Sequence, residues 1–409
     1  MVSSSPETLI YDVKLSSVGP ATVTGPDVVH ELSNMDLVMK LHYLTGIYFF
    51  GKEAVEGLTI TKIKESMFYW LDQYYITCGR VKRSETGVLF VRCNDCGARL
   101  IEAKCNMNMD EFLELKDCGL QNRLFYNQVI GPELTFSPLI MIQLTFFKCG
   151  GMSVGLRWSH VLGDAFSSTE YINIWAQVLA GHHQPSKCLS PPINQVQMNS
   201  QGQISSPSLP AKQVNSVGDY WITPNNCKMA TFFFEIPATE MQTSLDKIPS
   251  FIYISAVIWH CLGKIRQEFD PNTVTICKSH GNGYLGNNPI LSVVKADFEV
   301  AKSEPLDLAD LIMDQNVNVT SRVGHVVADY VLYGAYPTFV DLEGVNLYGL
   351  ELNGLKPVFA NYMIHGVGDA GVIIVLPNSD GGRTVTVTVP ENEVLSLKSE
   401  MGRKWNIIM

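Results

Sequence analysis

One histidine–aspartate pair has the spacing and the surroundings expected of an acid–base site. Residues 152–168 contain His160 and Asp164 in the pattern His-x-x-x-Asp. We predict that a strand ends at 158 and a helix begins near 165, so the histidine projects from the end of an element into a cleft. Near neutral pH its imidazole can take a proton from a hydroxyl or amine that attacks a thioester. Asp164 is suited to cap the helix, and Gly163 permits a tight bend before it.

Spacing alone does not single out this pair, because chance matches are expected in a chain with nine histidines. His325–Asp329 and His365–Asp369 have the same spacing. The first has no predicted helix start behind it. The second lies in His-Gly-Val-Gly-Asp-Ala-Gly between predicted strands, which we interpret as a hairpin turn. The strand–loop–helix context therefore favours His160.

The elements that must position His160 are read from hydrophobic periodicity. In the first half of the chain, the predicted helices are 36–50, 61–75 and 165–180, and the predicted strands are 88–92, 99–103, 139–148 and 153–158. The first two strands are expected to pair around a turn that holds Cys93 and Cys96. In the second half, the predicted strands are 231–236, 293–300, 362–364, 371–376 and 384–389, and the predicted helices are 254–266, 306–318 and 391–401.

A change of composition divides the chain in two. Residues 182–220 are rich in Pro, Ser, Gln and Asn and show no hydrophobic period, which is typical of a linker. We therefore predict an N-terminal domain over 1–181 that carries the His-x-x-x-Asp pattern, a crossover linker over 182–220 and a C-terminal domain over 221–409. Helices mixed with strands in each half favour an α/β fold of two mixed α+β sandwiches.

Composition limits the possible functions. The 409 residues are 46% hydrophobic and 17% charged, with a formal net charge of −10, as in a globular protein with an acidic surface. Such a surface repels phosphate backbones, so nucleic acid is not expected as a partner. No export signal or transmembrane segment is predicted, so any membrane association would be peripheral. The ten cysteines are read as reduced thiols, and no metal site is expected, His182 and His183 included.

Beyond single motifs, long stretches resemble the plant BAHD acyltransferases. Residues 156–166 resemble their HxxxD region, and Tyr284-Leu285-Gly286-Asn287 resembles their YFGN segment. The resemblance implies two chloramphenicol-acetyltransferase-like domains with a channel between them. His160 would be the catalytic base, supported structurally by Asp164. Acyl-CoA would be a substrate or ligand, and no tightly bound cofactor is implied. The residues expected at the CoA and acyl channel are Gly163, Tyr284, Gly286, Asn287, Tyr348 and Gly349.

A smaller group within that family matches more closely. The stretches 37–43, 92–97, 131–139, 147–151, 217–225 and 361–371 are similar to the eceriferum/Glossy proteins. This resemblance implies a role in very-long-chain fatty acid elongation for cuticular wax, in which the protein assists a ketoacyl-CoA synthase. It also implies a cytosolic protein, monomeric on its own and peripherally associated with the endoplasmic reticulum.

Two departures from the family pattern leave the activity open. The Asp-Phe-Gly-Trp-Gly element of the enzymes is replaced by Asn-Leu-Tyr-Gly-Leu at 346–350. The arginine that pairs with the motif aspartate is replaced by Lys278 and His280, and a lysine cannot reproduce a bidentate guanidinium contact. The first hypothesis is therefore an accessory with weak or no transferase activity. The alternative is an active CoA-dependent O- or N-acyltransferase that uses His160 as general base.

Overall fold

A computed structural model describes residues 9–182, 209–242, 248–266, 272–279, 281, 283–314, 326 and 328–405. Two six-stranded sheets organise this part of the chain. The first sheet has the order β1-β6-β7-β8-β3-β15, and its only parallel pair is β6 with β7 among the described strands. Its strands are β1 (Ile10–Val18), β3 (Tyr43–Phe50), β6 (Ala98–Cys105), β7 (Ile140–Phe146), β8 (Met152–Ser159) and β15 (Phe359–His365).

The second sheet is built entirely from the C-terminal half. Its order is β10-β17-β16-β14-β11-β12. Its strands are β10 (Met229–Ile236), β11 (Thr273–Lys278), β12 (Ile290–Lys295), β14 (Thr338–Asp341), β16 (Val372–Pro377) and β17 (Arg383–Pro390). Two small ribbons complete the strands: β2 (Val29–Glu31) with β5 (Leu89–Arg92) and β4 (Arg80–Arg83), and β9 (Lys212–Val214) with β13 (Asp329–Val331).

Helices cover the sheets. They are α1 (Asn34–Val38), α2 (Lys52–Val55), α3 (Ile60–Gln73), α4 (Met109–Glu114), α5 (Cys118–Gln121), α6 (Ala165–Leu179), α7 (Ala238–Gln242), α8 (Ser250–Ile265), α9 (Pro305–Asp314) and α10 (Val394–Trp405). The pair α3 and α6 is fixed by two buried indoles: Trp70 Nε1 donates to the Tyr171 carbonyl at 3.0 Å and Trp175 Nε1 donates to Ser66 Oγ at 3.0 Å. No helix among the described residues is long and apolar enough to cross a membrane.

One strand crosses between the two halves. β15 lies in the C-terminal part of the sequence, yet it pairs antiparallel with β3 in the first sheet, with Phe359 opposite Phe49 and His365 opposite Tyr43. The predicted division of the chain at 182–220 did not anticipate that a strand from the C-terminal half joins the first sheet. The next strand, β16, belongs to the second sheet. The His365–Asp369 segment is therefore a connection between sheets, and its interpretation as a hairpin turn was wrong.

Hydrophobic periodicity predicts most of the observed elements and fails where strands are buried on both faces. The helix predicted over 36–50 is wrong: α1 ends at Val38, and every residue of β3 is buried. A fully buried strand carries a continuous apolar run, which also satisfies helical spacing. The strands predicted at 88–92 and 99–103 exist, but they do not pair with each other, since β5 pairs with β2 and β4 and β6 pairs with β1 and β7. The strand predicted over 293–300 lies earlier, at β12.

Candidate active site

His160 lies where a buried strand turns into a helix. β8 ends at Ser159, residues His160–Leu162 form one turn of 3-10 helix, and α6 begins at Ala165. The side chain of Asp164 caps α6 by accepting a hydrogen bond from Ser167 N at 3.0 Å. This is the strand–loop–helix arrangement that the sequence predicts. The imidazole is almost entirely enclosed, with 1% of the residue exposed.

Gly163 is required at the bend. Its φ of 151° and ψ of 173° are sparsely accessible to residues with a Cβ. A Cβ placed there would lie 2.8 Å from the Cβ of Ser167 and 2.9 Å from the backbone nitrogen of Gly286. The glycine therefore lets the loop that contains Gly286 approach the start of α6.

The loop at 284–287 docks on the His-x-x-x-Asp turn through its backbone. The backbone nitrogen of Asp164 donates to Gly286 O at 3.1 Å. Ser167 Oγ donates to the carbonyls of Tyr284 and Gly286 at 3.2 and 3.1 Å. Asn287 Nδ2 donates to the His160 carbonyl at 2.7 Å and to Asp36 Oδ1 at 2.8 Å. Six of the eight predicted site residues, Gly163 included, thus come together, and Tyr284 contributes its carbonyl while its side chain is partly exposed.

Two residues that the sequence analysis missed complete the surroundings of His160. The hydroxyl of Tyr333 lies 3.2 Å from His160 Nε2. His42 packs edge-on against both rings, with centroids 6.4 Å from His160 and 4.9 Å from Tyr333. Its Nε2 accepts hydrogen bonds from the backbone nitrogens of Leu332 and Tyr333 at 3.1 and 3.3 Å. His42, His160 and Tyr333 form what we call the buried triad.

Burial keeps both imidazoles of the triad neutral. Burial lowers the pKa of His160 to about 4, against a smaller raising effect of hydrogen bonds to its own backbone and to Asn287. Burial and, to a smaller extent, the nearby His160 lower the pKa of His42 to about 3. Since His42 Nε2 accepts two backbone hydrogen bonds, its proton resides on Nδ1. A neutral His160 can accept a proton, but a pKa near 4 makes it a weaker base than one poised near 7.

Asp164 is buried, and among the described residues it has no ion-pair partner. Burial raises its pKa to about 6, against hydrogen bonds from Ser167, Ser279 and Phe166. Within the described part of the chain, no lysine or arginine forms an ion pair with it. The ammonium of Lys278 instead lies 5.9 Å from the ring centroid of Phe251. His280 lies outside the described residues.

Tyr348 and Gly349 are not brought to His160. Both line a separate cavity of about 430 Å³ with residues at the C-terminal end of α6, among them Ala176 and Ala180. His160 lies near the other end of that helix. At about 1.5 Å per residue, a helix of this length separates the two places by roughly 20 Å. A Cβ on Gly349 would lie 2.6 Å from Asn173 Nδ2, so the glycine serves close packing against α6.

Comparisons with known proteins show the family and the fold of the chain. The model of the Transferase family matches residues 15–272. The chain is similar to Protein ECERIFERUM 26 of Arabidopsis thaliana, with 35% identity over 98% of this chain and 96% of that protein. Its structure is similar to that of vinorine synthase, with a TM-score of 0.69 and 16% identity over 96% of this chain and 97% of the other. It is also similar to TRI101 of F. sporotrichioides in complex with coenzyme A and T-2, with a TM-score of 0.63 and 13% identity over 93% and 98% of the two chains. The predicted fold class is confirmed.

Proposed function

The chain belongs to the Transferase family, the BAHD acyltransferases, and we propose that it assists a ketoacyl-CoA synthase in elongating very-long-chain fatty acids for cuticular wax. The family and its eceriferum-type subgroup, both predicted from the sequence, are confirmed by the family model and by the full-length similarity to ECERIFERUM 26. The elongation role, the synthase as partner and the cytosolic face of the endoplasmic reticulum as location are parts of the proposal.

The accessory role is supported by the hydrogen bonding and the lowered pKa of His160. A general base needs a free lone pair within hydrogen-bond reach of the group it deprotonates. Here Nε2 already faces the Tyr333 hydroxyl inside the buried triad, and burial holds the pKa of the imidazole at about 4. The aspartate that supports the turn lacks a described cationic partner. These features favour a protein whose contribution to elongation needs no proton transfer by His160.

An active CoA-dependent acyltransferase remains the second candidate, and one observation favours it. The turn that presents His160 is intact, with the cap by Asp164, the bend at Gly163 and the Asn287 contact to the His160 carbonyl. Rotation of the Tyr333 ring away from His160 Nε2 would leave that nitrogen free to act as a base while the turn stays unchanged. The substrate would then be an acyl-CoA and the acceptor an alcohol or amine.

We further propose that acyl-CoA binds in a channel between domains at 1–181 and 221–409, connected by 182–220. TRI101 was crystallised with coenzyme A, and its fold is shared by this chain. His160 would face the thioester carbonyl, near Gly163 and Gly286. The protein would be a monomer that reaches the membrane by docking on the cytosolic side of the synthase.

Co-expression in yeast tests the proposal. The protein and a plant ketoacyl-CoA synthase are produced singly and together, and total fatty acids are profiled by chain length. Longer acyl chains are expected only when both are present, and the His160→Ala variant is expected to support them nearly as well as the wild type. His160→Gln serves as a matched variant that keeps a hydrogen-bonding group opposite Tyr333. Loss of elongation with both variants at unchanged protein level would favour the acyltransferase. An unchanged profile with the wild-type pair, together with failure to co-purify, would contradict the accessory role.

A further inference from the structure

A second cavity is lined by strands of both sheets and takes no part in the arrangement around His160. It has a volume of about 490 Å³, within the range of roughly 300–1,000 Å³ typical of small-molecule sites. Its lining combines residues of β3, β8 and β15 in the first sheet and of β10 and β17 in the second with residues from the segment 221–225. None of His160, Asp164, Gly163 or Asn287 lines it.

Arg157 of β8 places a buried positive charge in the wall of this cavity. Only 2% of the residue is exposed, its guanidinium carbon lies 4.4 Å from the ring centroid of Tyr43, and its Nε donates a long hydrogen bond of 3.4 Å to the Gln128 carbonyl. Nη1 has no hydrogen-bond partner, and no carboxylate in the described part of the chain pairs with it. Because an unpaired buried cation is costly, a fold that keeps one needs a compensating anion or a functional reason.

Three further wall residues carry buried polar atoms without partners. They are Trp221 with Nε1, His365 with Nε2 and Asn122 with Oδ1. Native proteins satisfy nearly all buried polar groups, so four such residues around one cavity indicate missing hydrogen-bond partners. The indole and guanidinium groups can only donate.

The charge on the cavity wall favours an anionic ligand. Its titratable wall residues are Arg157, His365 and Tyr43, and none of its described lining residues is acidic. This holds in a chain with a net charge of −10. The pKa of His365 is held well below its usual range, first by burial and then by the nearby Arg157, so the imidazole is neutral. Arg157 is thus the one formal charge among the described wall residues.

The rest of the wall mixes aliphatic side chains with polar ones, among them Asn127, Thr223 and Thr231. Its aliphatic members are Leu41, Val129, Ile222, Met229, Ile364 and Val367. We propose that this cavity binds a carboxylic acid with an apolar tail, the carboxylate on the guanidinium of Arg157 and the indole N–H of Trp221 and the tail on this aliphatic wall. A planar guanidinium fork matches two carboxylate oxygens, which makes arginine the suitable anchor. The site goes beyond the proposed elongation role, because its ligand is a free acid rather than a thioester.

Calorimetry and thermal unfolding of the full chain test this site with decanoate as the probe and decanol as its uncharged match. Wild type is expected to bind decanoate at least tenfold more tightly than decanol and to unfold at a higher temperature in its presence. Arg157→Gln is expected to lose this preference and the thermal shift. Trp221→Phe, which removes the N–H donor and keeps an aromatic ring, is expected to weaken decanoate binding and leave decanol binding unchanged.

Arg80→Gln is the control, because Arg80 is also a buried arginine but donates to the carbonyls of Cys78, Gly79 and Gly97. It is expected to lower stability and to keep the decanoate preference. If Arg157→Gln does not fold, the Trp221→Phe result decides alone. Equal affinity of wild type for decanoate and decanol would overturn the proposal, as would unchanged decanoate binding in Trp221→Phe and Arg157→Gln. Acetate binding as tight as decanoate would refute the apolar part of the site. None of these outcomes depends on elongation activity.

Discussion

The hydroxyl of Tyr333 lies 3.2 Å from Nε2 of His160, the nitrogen that a general base would use. The two residues are 173 positions apart, and each is enclosed by the fold. The His-x-x-x-Asp motif is intact, but its histidine is not a free base, because the Tyr333 hydroxyl occupies the nitrogen that would accept the proton.

Removing the Tyr333 hydroxyl is expected to lower stability. In Tyr333→Phe the buried Nε2 of His160 loses its partner, and an unsatisfied buried group costs about 1–3 kcal/mol. Urea unfolding followed by fluorescence measures the difference. Tyr336→Phe is the matched control, since Tyr336 is exposed and its change is expected to stay within about 0.5 kcal/mol. Equal effects at both positions would contradict the assigned contact.

Substitution of Gly163 by alanine is expected to disturb both the turn and the docked 284–287 loop. The new Cβ meets Ser167 and the Gly286 backbone nitrogen within 2.9 Å, in addition to the backbone strain of a positive φ. Gly57→Ala isolates the strain, because Gly57 has a φ of 71° and open space around it. We expect a loss of about 1–2 kcal/mol for Gly57→Ala and a larger loss for Gly163→Ala in thermal or urea unfolding.

The same Gly163 variant tests the proposed acyl-CoA site. If the thioester lies beside Gly163, long-chain acyl-CoA affinity measured by calorimetry falls in Gly163→Ala and stays unchanged in Gly57→Ala. No measurable affinity of the wild type for any acyl-CoA would contradict the proposed channel but not the fold.

Asp164 is expected to make stability fall as pH rises from about 4 to about 6. Its pKa is raised from 3.8 to about 6 in the folded chain, so across this window the folded state holds a proton that the unfolded state releases. Its contribution shrinks by up to roughly 3 kcal/mol over that range. His160 acts in the opposite sense, since its pKa is lowered to about 4 and its stability contribution rises between about 4 and 6.5.

Asp164→Asn separates the two effects, because asparagine can still accept the hydrogen bond from Ser167 N. Relative to wild type, the variant is expected to become more stable as pH rises through this window. Urea unfolding at pH 4, 5 and 6 gives the difference. A difference that does not vary with pH would show that Asp164 does not titrate in this way.

Limited trypsin digestion is expected to cut first after Lys187. The composition of 182–220 predicts a linker, whereas Lys212 in the same segment lies in β9 and pairs with Val331 of β13. Mass spectrometry of early fragments identifies the site. First cuts within β7 or β8 would count against the domain boundaries proposed here.

Local signals in the sequence predicted the His-x-x-x-Asp turn, whereas contacts between residues distant in sequence were not predicted. His160, Gly163 and Asp164 lie within five residues at a strand–helix junction, so their geometry follows from local rules. Tyr333 reaches His160 because β13 packs against α1 and the residues that follow β13 donate hydrogen bonds to His42. No spacing in the sequence predicts that approach. His42 lies in a stretch read as helix, where a fully buried strand begins one residue later, so its role as an acceptor for Leu332 and Tyr333 could not be inferred.

The pairing of β15 with β3 affects how the protein folds during synthesis and how its fragments behave. A chain that stops near residue 220 would lack the outer neighbour of β3, leaving the unpaired backbone groups of a buried apolar strand open to intermolecular pairing. A fragment that begins near residue 221 would carry β15 with no sheet to join. On the ribosome, the first sheet can therefore be completed only after most of the second has emerged. The two halves are thus held together by the exchanged strand β15, and separate expression of either one is expected to give aggregates unless both are supplied together.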